Sequence, residues 1–400
     1  MRKNPNFIGQ PIFSQLLNLI DRGKIKSLAR EHGSDRYTKS FDTYHHLVTM
    51  LYCVYHGCTS LREVSTGLQA CFKKLNHLGL TYCVRRSTLS DANSRRSSEV
   101  FESIYMSLRE KLTPFLSDSQ MSKQLFIADS TTISLFKEIL KNAGTTPANG
   151  RRKGGMKVHT LIRADQDVPC LIRMTAASHH DVGFIQNLSL PKGSIIVFDR
   201  GYTDYTQYEK WTVNQVSWVT RIRNNGQYTL VQELTVPEDA KKAGVLSDKR
   251  IILGHTSHKK ISRVEARLIS YCDNDKDRGL EFITNNMDLD AKSICDIYRR
   301  RWQIELLFKR IKQNYPLQYF LGDNPNALEI QTWSVLIADL LMKYIQRILQ
   351  KKWSYSNLKS MIRLHLMTYI HLIDFLNNPD TLLINRIKDE TKQQSLFDST

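Results

Sequence analysis

The 400-residue chain lacks any apolar run long enough to cross a bilayer. Its best candidate, Val335-Leu336-Ile337-Ala338-Asp339-Leu340-Leu341-Met342, falls short of the roughly 20 residues a spanning helix needs and carries Asp339 inside it. That segment predicts a buried helix and no membrane partner. No export leader is expected, because Gln10, Gln15, Asn18 and Asp21 interrupt any apolar stretch after Arg2 and Lys3. Cysteines are few and unpaired by spacing: Cys53, Cys58, Cys71, Cys83, Cys170, Cys272 and Cys295 are scattered, odd in number and free of any Cys-x2-Cys pair. Reduced thiols in a cytoplasm are expected, with no zinc centre. His179-His180-Asp181 has no third ligand at readable spacing, with Cys170 the nearest thiol, so it reads as a turn or structural element.

Acidic side chains are in the minority. Lysine and arginine number 57 against 39 aspartates and glutamates, a formal net charge of +18. An excess of that size calls for a polyanionic partner, and without an apolar element for a membrane surface that partner is nucleic acid. The length exceeds the usual ceiling of one hydrophobic core, so two or three domains are expected.

Residues 1–118 have a helical pattern with short polar breaks and are expected to form one helical domain. Leu47, Val48, Leu51 and Tyr55 share one helical face that stops near Gly57, and Ser60 is placed to cap a helix over 61–68. Ser87 is a candidate cap for a helix running to Arg96. That segment mixes small polar residues with Arg95 and Arg96, as a helix facing DNA would, although an ordinary basic bundle face gives the same string.

Near residue 119 the texture changes to short β-branched runs at 125–128, 158–162, 168–174, 195–198 and 218–222, with helices expected near 182–188 and 205–213. Three strands followed by alternating helices and strands is the ribonuclease-H-like order. The predicted fold is therefore α/β: a ribonuclease-H-like core with a mixed five-stranded sheet over 119–224, a β-rich insertion over 225–280, and the rest of the core over 281–318. Residues 319–400 are expected to be helical and to serve dimerisation. A long helix is predicted from about 291 to 313, ended by Pro316.

Asp129 follows the run 125–128 and Asp199 follows 195–198, so each carboxylate is predicted at a strand end. Two such oxygen donors on one sheet suit Mg²⁺ or Mn²⁺, whereas an aspartate that merely opens a turn is the bland alternative. The long helix adds Tyr298, Arg301, Glu305 and Lys312, which at 100° per residue fall within roughly 60° of arc. Glu305 bracketed by cations suits a metal-holding carboxylate beside phosphate-holding groups better than a solvated face of alternating charge. Trp302 is either a base-stacking residue or a core aromatic at the helix–sheet interface. Lys157 and His159 share one face of a predicted strand, which faces either DNA or solvent, and Arg151-Arg152-Lys153 precede them as a basic loop suited to backbone contacts. Asp165 and Asp167 mark a hairpin turn.

The spacing Tyr298-x2-Arg301-x3-Glu305-x6-Lys312 resembles the third motif of the DDE transposases of the IS-four insertion-sequence family. Asp199-Arg200-Gly201-Tyr202 is similar to that family's second motif, and Ala128-Asp129-Ser130-Thr131 to its first. The resemblance extends over about 120–340. It implies a ribonuclease-H-like core in which Asp129, Asp199 and Glu305 bind two divalent ions, Mg²⁺ with Mn²⁺ as a substitute, while Tyr298, Arg301 and Lys312 grip terminal phosphates. It further implies double-stranded DNA partners, namely terminal inverted repeats and target DNA, and a homodimer in the synaptic complex. A ribonuclease-H-like nuclease without strand transfer and an inactive transposase-derived regulator are the rival expectations.

Overall fold

Capping oxygens set most helix starts in the first part of the chain. After α1 (Ile12–Leu17), the Asp21 carboxylate accepts from the amides of Gly23 and Lys24 to open α2 (Arg22–Glu31), and Asp42 accepts from His45 N to open α3 (Thr43–His56). Gly57, at φ 79°, ends α3 in the left-handed region that a side chain would resist. Ser60 opens α4 (Leu61–Ala70) as expected. The expected cap at Ser87 is not used: α5 (Arg86–Arg95) starts two residues earlier than that cap implies, behind Arg85, with no side-chain cap. Helix α6 (Glu99–Leu116) follows. Every residue of α3 from Thr43 to Tyr55 is buried, so this helix is a central element rather than one with a single packed face.

The computed structural model describes residues 9–118, 124–134, 155–176, 182–257, 260–273, 278–315, 317, 319, 321–322 and 324–380. The chain forms two units, Ser117–Lys309 and a second unit made of the segments that flank it. The first unit is built on one nine-stranded sheet. Its elements in order are β1 (Leu125–Ser134), β2 (Gly155–Arg163), β3 (Pro169–Ala176), α7 (Val182–Ile185), β4 (Ile195–Phe198), α8 (Tyr205–Val213) and β5 (Ser217–Arg221). Then come β6 (Tyr228–Leu234), α9 (Glu238–Lys242), β7 (Val245–Ser257), β8 (Lys260–Asp273), β9 (Arg278–Thr284), α10 (Ala291–Arg299) and the first part of α11 (Trp302–Asn314), whose residues from Arg310 on belong to the flanking unit.

Strand order is β3-β2-β1-β4-β5-β9-β8-β7-β6. Strands β1, β4 and β5 run parallel, and the other pairings are antiparallel. The fold is thus mixed α/β. The β-rich segment is not a separate sheet: β9 pairs with β5 and carries β8, β7 and β6 onward, extending the predicted five strands to nine.

On one face Phe126, Ala128, Leu161, Ile196, Phe198 and Trp218 pack against Phe184, Tyr208 and Trp211 from α7 and α8. Tyr208 stacks on Trp218 with ring centroids 4.5 Å apart. Each large buried side chain of this kind contributes roughly 2–3 kcal/mol. On the opposite face Phe282 of β9 meets Tyr298 of α10 at 4.6 Å between centroids.

The chain then supplies α12 (Pro325–Ile348), α13 (Tyr355–Leu364) and α14 (Leu372–Asn377), and α12 packs against α6 and α3. The N-terminal and C-terminal helices therefore share one unit instead of forming two. Asp339 is buried inside α12 as its apolar neighbours require. Arg310 donates to both its oxygens at 3.1 Å and the Tyr355 hydroxyl donates to Oδ1, which supplies the partners a buried carboxylate needs. Among the described residues no helix is long and apolar enough to cross a membrane.

Candidate functional site

Asp129 and Asp199 meet because of strand register. Strands β1 and β4 pair in parallel with Ala128 opposite Phe198, so the next residue on each strand leaves the paired stretch at the same level. Neighbouring strands lie about 5 Å apart, which fixes the scale of the separation between the two backbones. The expectation that both aspartates end their strands holds for Asp199 only. Strand β1 continues to Ser134 because β2 keeps pairing with it, Asp129 opposite Thr160. Asp129 ends only the part of β1 that β4 covers.

Each carboxylate is held from a different side. Asp129 Oδ1 accepts the Ser130 amide at 2.8 Å, and its Oδ2 accepts Nη1 of Arg301 at 3.1 Å. Asp199 Oδ1 accepts Nη2 of Arg221 at 3.0 Å. Burial pushes the Asp129 carboxyl up to about 6, with the charges of Asp199 and Glu305 adding to the rise and the Ser130 amide and Arg301 opposing it. Burial would raise Asp199 too, but the hydrogen bond and charge of Arg221 outweigh it, so Asp199 sits below the usual carboxylate range.

The predicted continuous helix over 291–313 is interrupted. Helix α10 ends at Arg299 and α11 begins at Trp302. Across the junction the bonding tightens to i−3: Arg301 N donates to Tyr298 O, Gln303 N to Arg300 O and Ile304 N to Arg301 O. The uniform 100° wheel therefore does not apply from Tyr298 to Glu305. The junction nonetheless aims Arg301 at the carboxylates, where Nη1 binds Asp129 and Nη2 binds Glu305 Oε1. One planar guanidinium thus spans two acidic groups, and its carbon lies 5.8 Å from the Tyr298 ring centre. Burial pushes the Tyr298 hydroxyl up. Among the described residues no three Asp, Glu, His or Cys side chains are placed to hold a single ion, since Arg301 stands between Asp129 and Glu305.

Lys312 is seven residues beyond Glu305 on α11, and burial lowers its ammonium from the ordinary lysine value. Trp302 is 56% exposed, so it is not the core aromatic of the alternative expectation. Arg95 is exposed and pairs with Asp91 at 2.7 Å. Arg96 is not available to DNA as expected: it is 7% exposed, and Nη2 donates to Phe41 O at 2.7 Å and to Asp35 at 3.4 Å. It holds the helical unit together.

Strand alternation places Lys157 and His159 on the face opposite Asp129, because Asp129 shares its face with Thr160. His159 is buried there, bonded to Thr175 Oγ1 at 3.0 Å and stacked on Phe184, a packing role instead of a DNA contact. Asp165 is bound by Arg163 at the predicted turn, where Asp167 has a φ of 53°. Arg151, Arg152, Lys153, His179, His180, Asp181 and Pro316 lie outside the described residues. The sequence reading missed Arg221, the last residue of β5. A single arginine closing an apolar run carried no signal that it would face Asp199.

Comparison with known proteins gives a consistent answer. The sequence family described as "Transposase DDE domain" matches residues 120–341, and a domain of unknown function matches 8–81. A putative transposase of Sinorhizobium fredii is 30% identical over 266 residues, 65% of this chain and 71% of that protein. A putative transposase for insertion sequence element IS4SA of Synechocystis is 27% identical over 297 residues, covering 71% and 78%. A probable transposase for insertion sequence element IS5377 of Geobacillus stearothermophilus is 25% identical over 223 residues, covering 56% and 57%.

Proposed function

We propose, from the premise that this chain belongs to the DDE transposase family and is a DNA transposase, that Asp129, Asp199 and Glu305 are the divalent-ion ligands of its active site. The observation that carries this is the register-matched pair Asp129 and Asp199 on parallel strands, with Glu305 joined to Asp129 through one guanidinium. An all-oxygen donor set fits Mg²⁺ or Mn²⁺. Asp129, Asp199 and Glu305 would together hold two such ions. Bound there, the ions would supply activation of the attacking oxygen and stabilisation of the leaving one in an in-line displacement at phosphorus.

The chain's own residues do the rest. Arg221 binds Asp199 Oδ1 and holds its carboxyl below the usual carboxylate range, which keeps it ionised. Arg301 and Lys312 grip phosphates near the scissile bond, Tyr298, only 7% exposed, backs Arg301 with its ring, and Trp302, which is exposed, would stack on a base. The nucleophile is first water and then the liberated 3′-hydroxyl. The strand order β3-β2-β1-β4-β5 with β1, β4 and β5 parallel supports a ribonuclease-H-like core, and the Tyr-Arg-Glu-Lys spacing supports the IS-four type. The helical unit supplies transposon-end binding, with Arg95 among its exposed cations, and dimer contacts in a synaptic homodimer in the bacterial cytoplasm.

Purified protein, DNA bearing the element's terminal inverted repeat and Mg²⁺ should give joined strands as well as nicks. Nicks alone would favour a hydrolytic nuclease. In the same assay Lys312→Ala should bind the DNA more weakly and lower the slope of log affinity against log salt by about one. A slope equal to the parent's removes Lys312 from the phosphate contacts.

The raised Asp129 value sets a pH dependence. Below about pH 6 the carboxyl is protonated and neutral, and above it the group is ionised and can hold a cation. Mn²⁺ affinity of the DNA-free protein should therefore climb from pH 5 to about 6.5 and level off. A flat profile over that range would separate ion binding from Asp129.

A further inference from the structure

Arg301 makes contacts that a DNA-gripping residue does not need. In the protein without DNA its two Nη groups are committed to Asp129 Oδ2 and Glu305 Oε1, while its Nε is buried without a hydrogen-bond partner. The carboxylate oxygens that hold the guanidinium are the ones an ion would bind, so the two cations compete for them. The guanidinium carries five N–H donors but a single charge, and turning it to grip a phosphate through both Nη groups gives up the orientation that bridges the two carboxylates. The side chain is mostly sheltered, at 16% exposure, so its charge is weakly screened.

We infer that Arg301 is a switch: in the DNA-free enzyme it acts as an internal counter-ion that competes with divalent ions for Asp129 and Glu305, and a DNA phosphate releases the two carboxylates by drawing the guanidinium away. This rests on the proposed ligand set and adds an order to it. Linkage makes the coupling reciprocal, so phosphate engagement and ion binding favour one another. The consequence is that the ion site assembles fully only where a DNA backbone is already in place, which protects the cell from an enzyme loaded for cleavage away from its substrate.

The test is Mn²⁺ titration of the full chain at pH 7.5, read by the loss of the free-ion paramagnetic resonance signal. Without DNA, Arg301→Gln and Arg301→Lys should both bind Mn²⁺ more tightly than the parent, by roughly tenfold for Arg301→Gln. Lysine keeps the charge but cannot bridge two carboxylates, so a Lys variant that matches the parent would reduce the effect to through-space charge and overturn the switch. Adding duplex DNA should narrow the gap between the parent and Arg301→Gln, because the parent alone has an arginine to surrender. A gap that DNA leaves unchanged would overturn the hand-over. Asp129→Asn in the Arg301→Gln background keeps the two ideas apart. Loss of Mn²⁺ binding there supports the ligand assignment whatever Arg301 does, and retained binding refutes the assignment itself.

Discussion

Glu305→Gln should lower DNA cleavage by a thousandfold or more while leaving DNA affinity within about twofold. The amide keeps the shape of the side chain on α11 but is a neutral, weaker donor to a hard cation. Removing one carboxylate from the proposed ion site would forfeit several kcal/mol of charge stabilisation in the transition state, and each 1.36 kcal/mol is tenfold in rate. Phosphate contacts are assigned to Arg301 and Lys312, neither of which is substituted, and Arg301 keeps Asp129 as its second carboxylate partner. Glu305 is only partly buried, so a stability change beyond about 0.5 kcal/mol is not expected. Nicked product counted on a gel against binding by fluorescence anisotropy separates the two effects. Cleavage near the parental rate would remove Glu305 from the chemistry.

Much of this site was legible because its local signals agree with its packing. Apolar, β-branched runs that stop at Asp129 and Asp199 announce strands of one sheet. What the runs cannot announce is register. Only the observed pairing of Ala128 with Phe198 puts the two carboxylates side by side, and a slip of one residue would send one of them to the other face. The order of the nine strands was also hidden, since nothing local says that β9 returns beside β5 and so draws the insertion into the same sheet.

Charge was the less reliable guide. Arg95 and Arg96 are neighbours of the same type in one basic segment, yet Arg95 faces outward and Arg96 is consumed by Asp35 and a backbone carbonyl. The difference lies in residues some sixty positions away. Arg221 failed in the opposite sense, because its importance comes wholly from lying beside Asp199. The break between α10 and α11 was invisible for another reason: good helix formers continue through it, and the tightened bonding at 298–304 leaves no glycine or proline as a marker.

The insertion also sets the position of the candidate site, which makes Arg267→Met the substitution with the largest expected cost in stability. Arg267 of β8 donates through Nε and Nη2 to Asp248 of β7, and through Nη1 to the carbonyls of Asn286 and Leu289, just ahead of α10. The two side chains are 5% and 6% exposed. Deleting the arginine leaves a buried carboxylate and two carbonyls without their donor, a loss of about 3–5 kcal/mol. For a unit of this size that lowers Tm by roughly 10 °C in a thermal melt. The exposed pair Arg250 and Glu265 on the same two strands is the control, and breaking it should cost less than about 1 kcal/mol. Pairing Arg267→Met with Asp248→Leu removes the stranded charge and should recover most of the melting temperature. The two orphaned carbonyls remain in the double variant, so the start of α10, and with it Tyr298 and Arg301, should still be loosened. Cleavage should therefore stay impaired after stability returns. Full recovery of both would show that the Arg267 clamp contributes to the fold alone and leaves the position of α10 to the sheet.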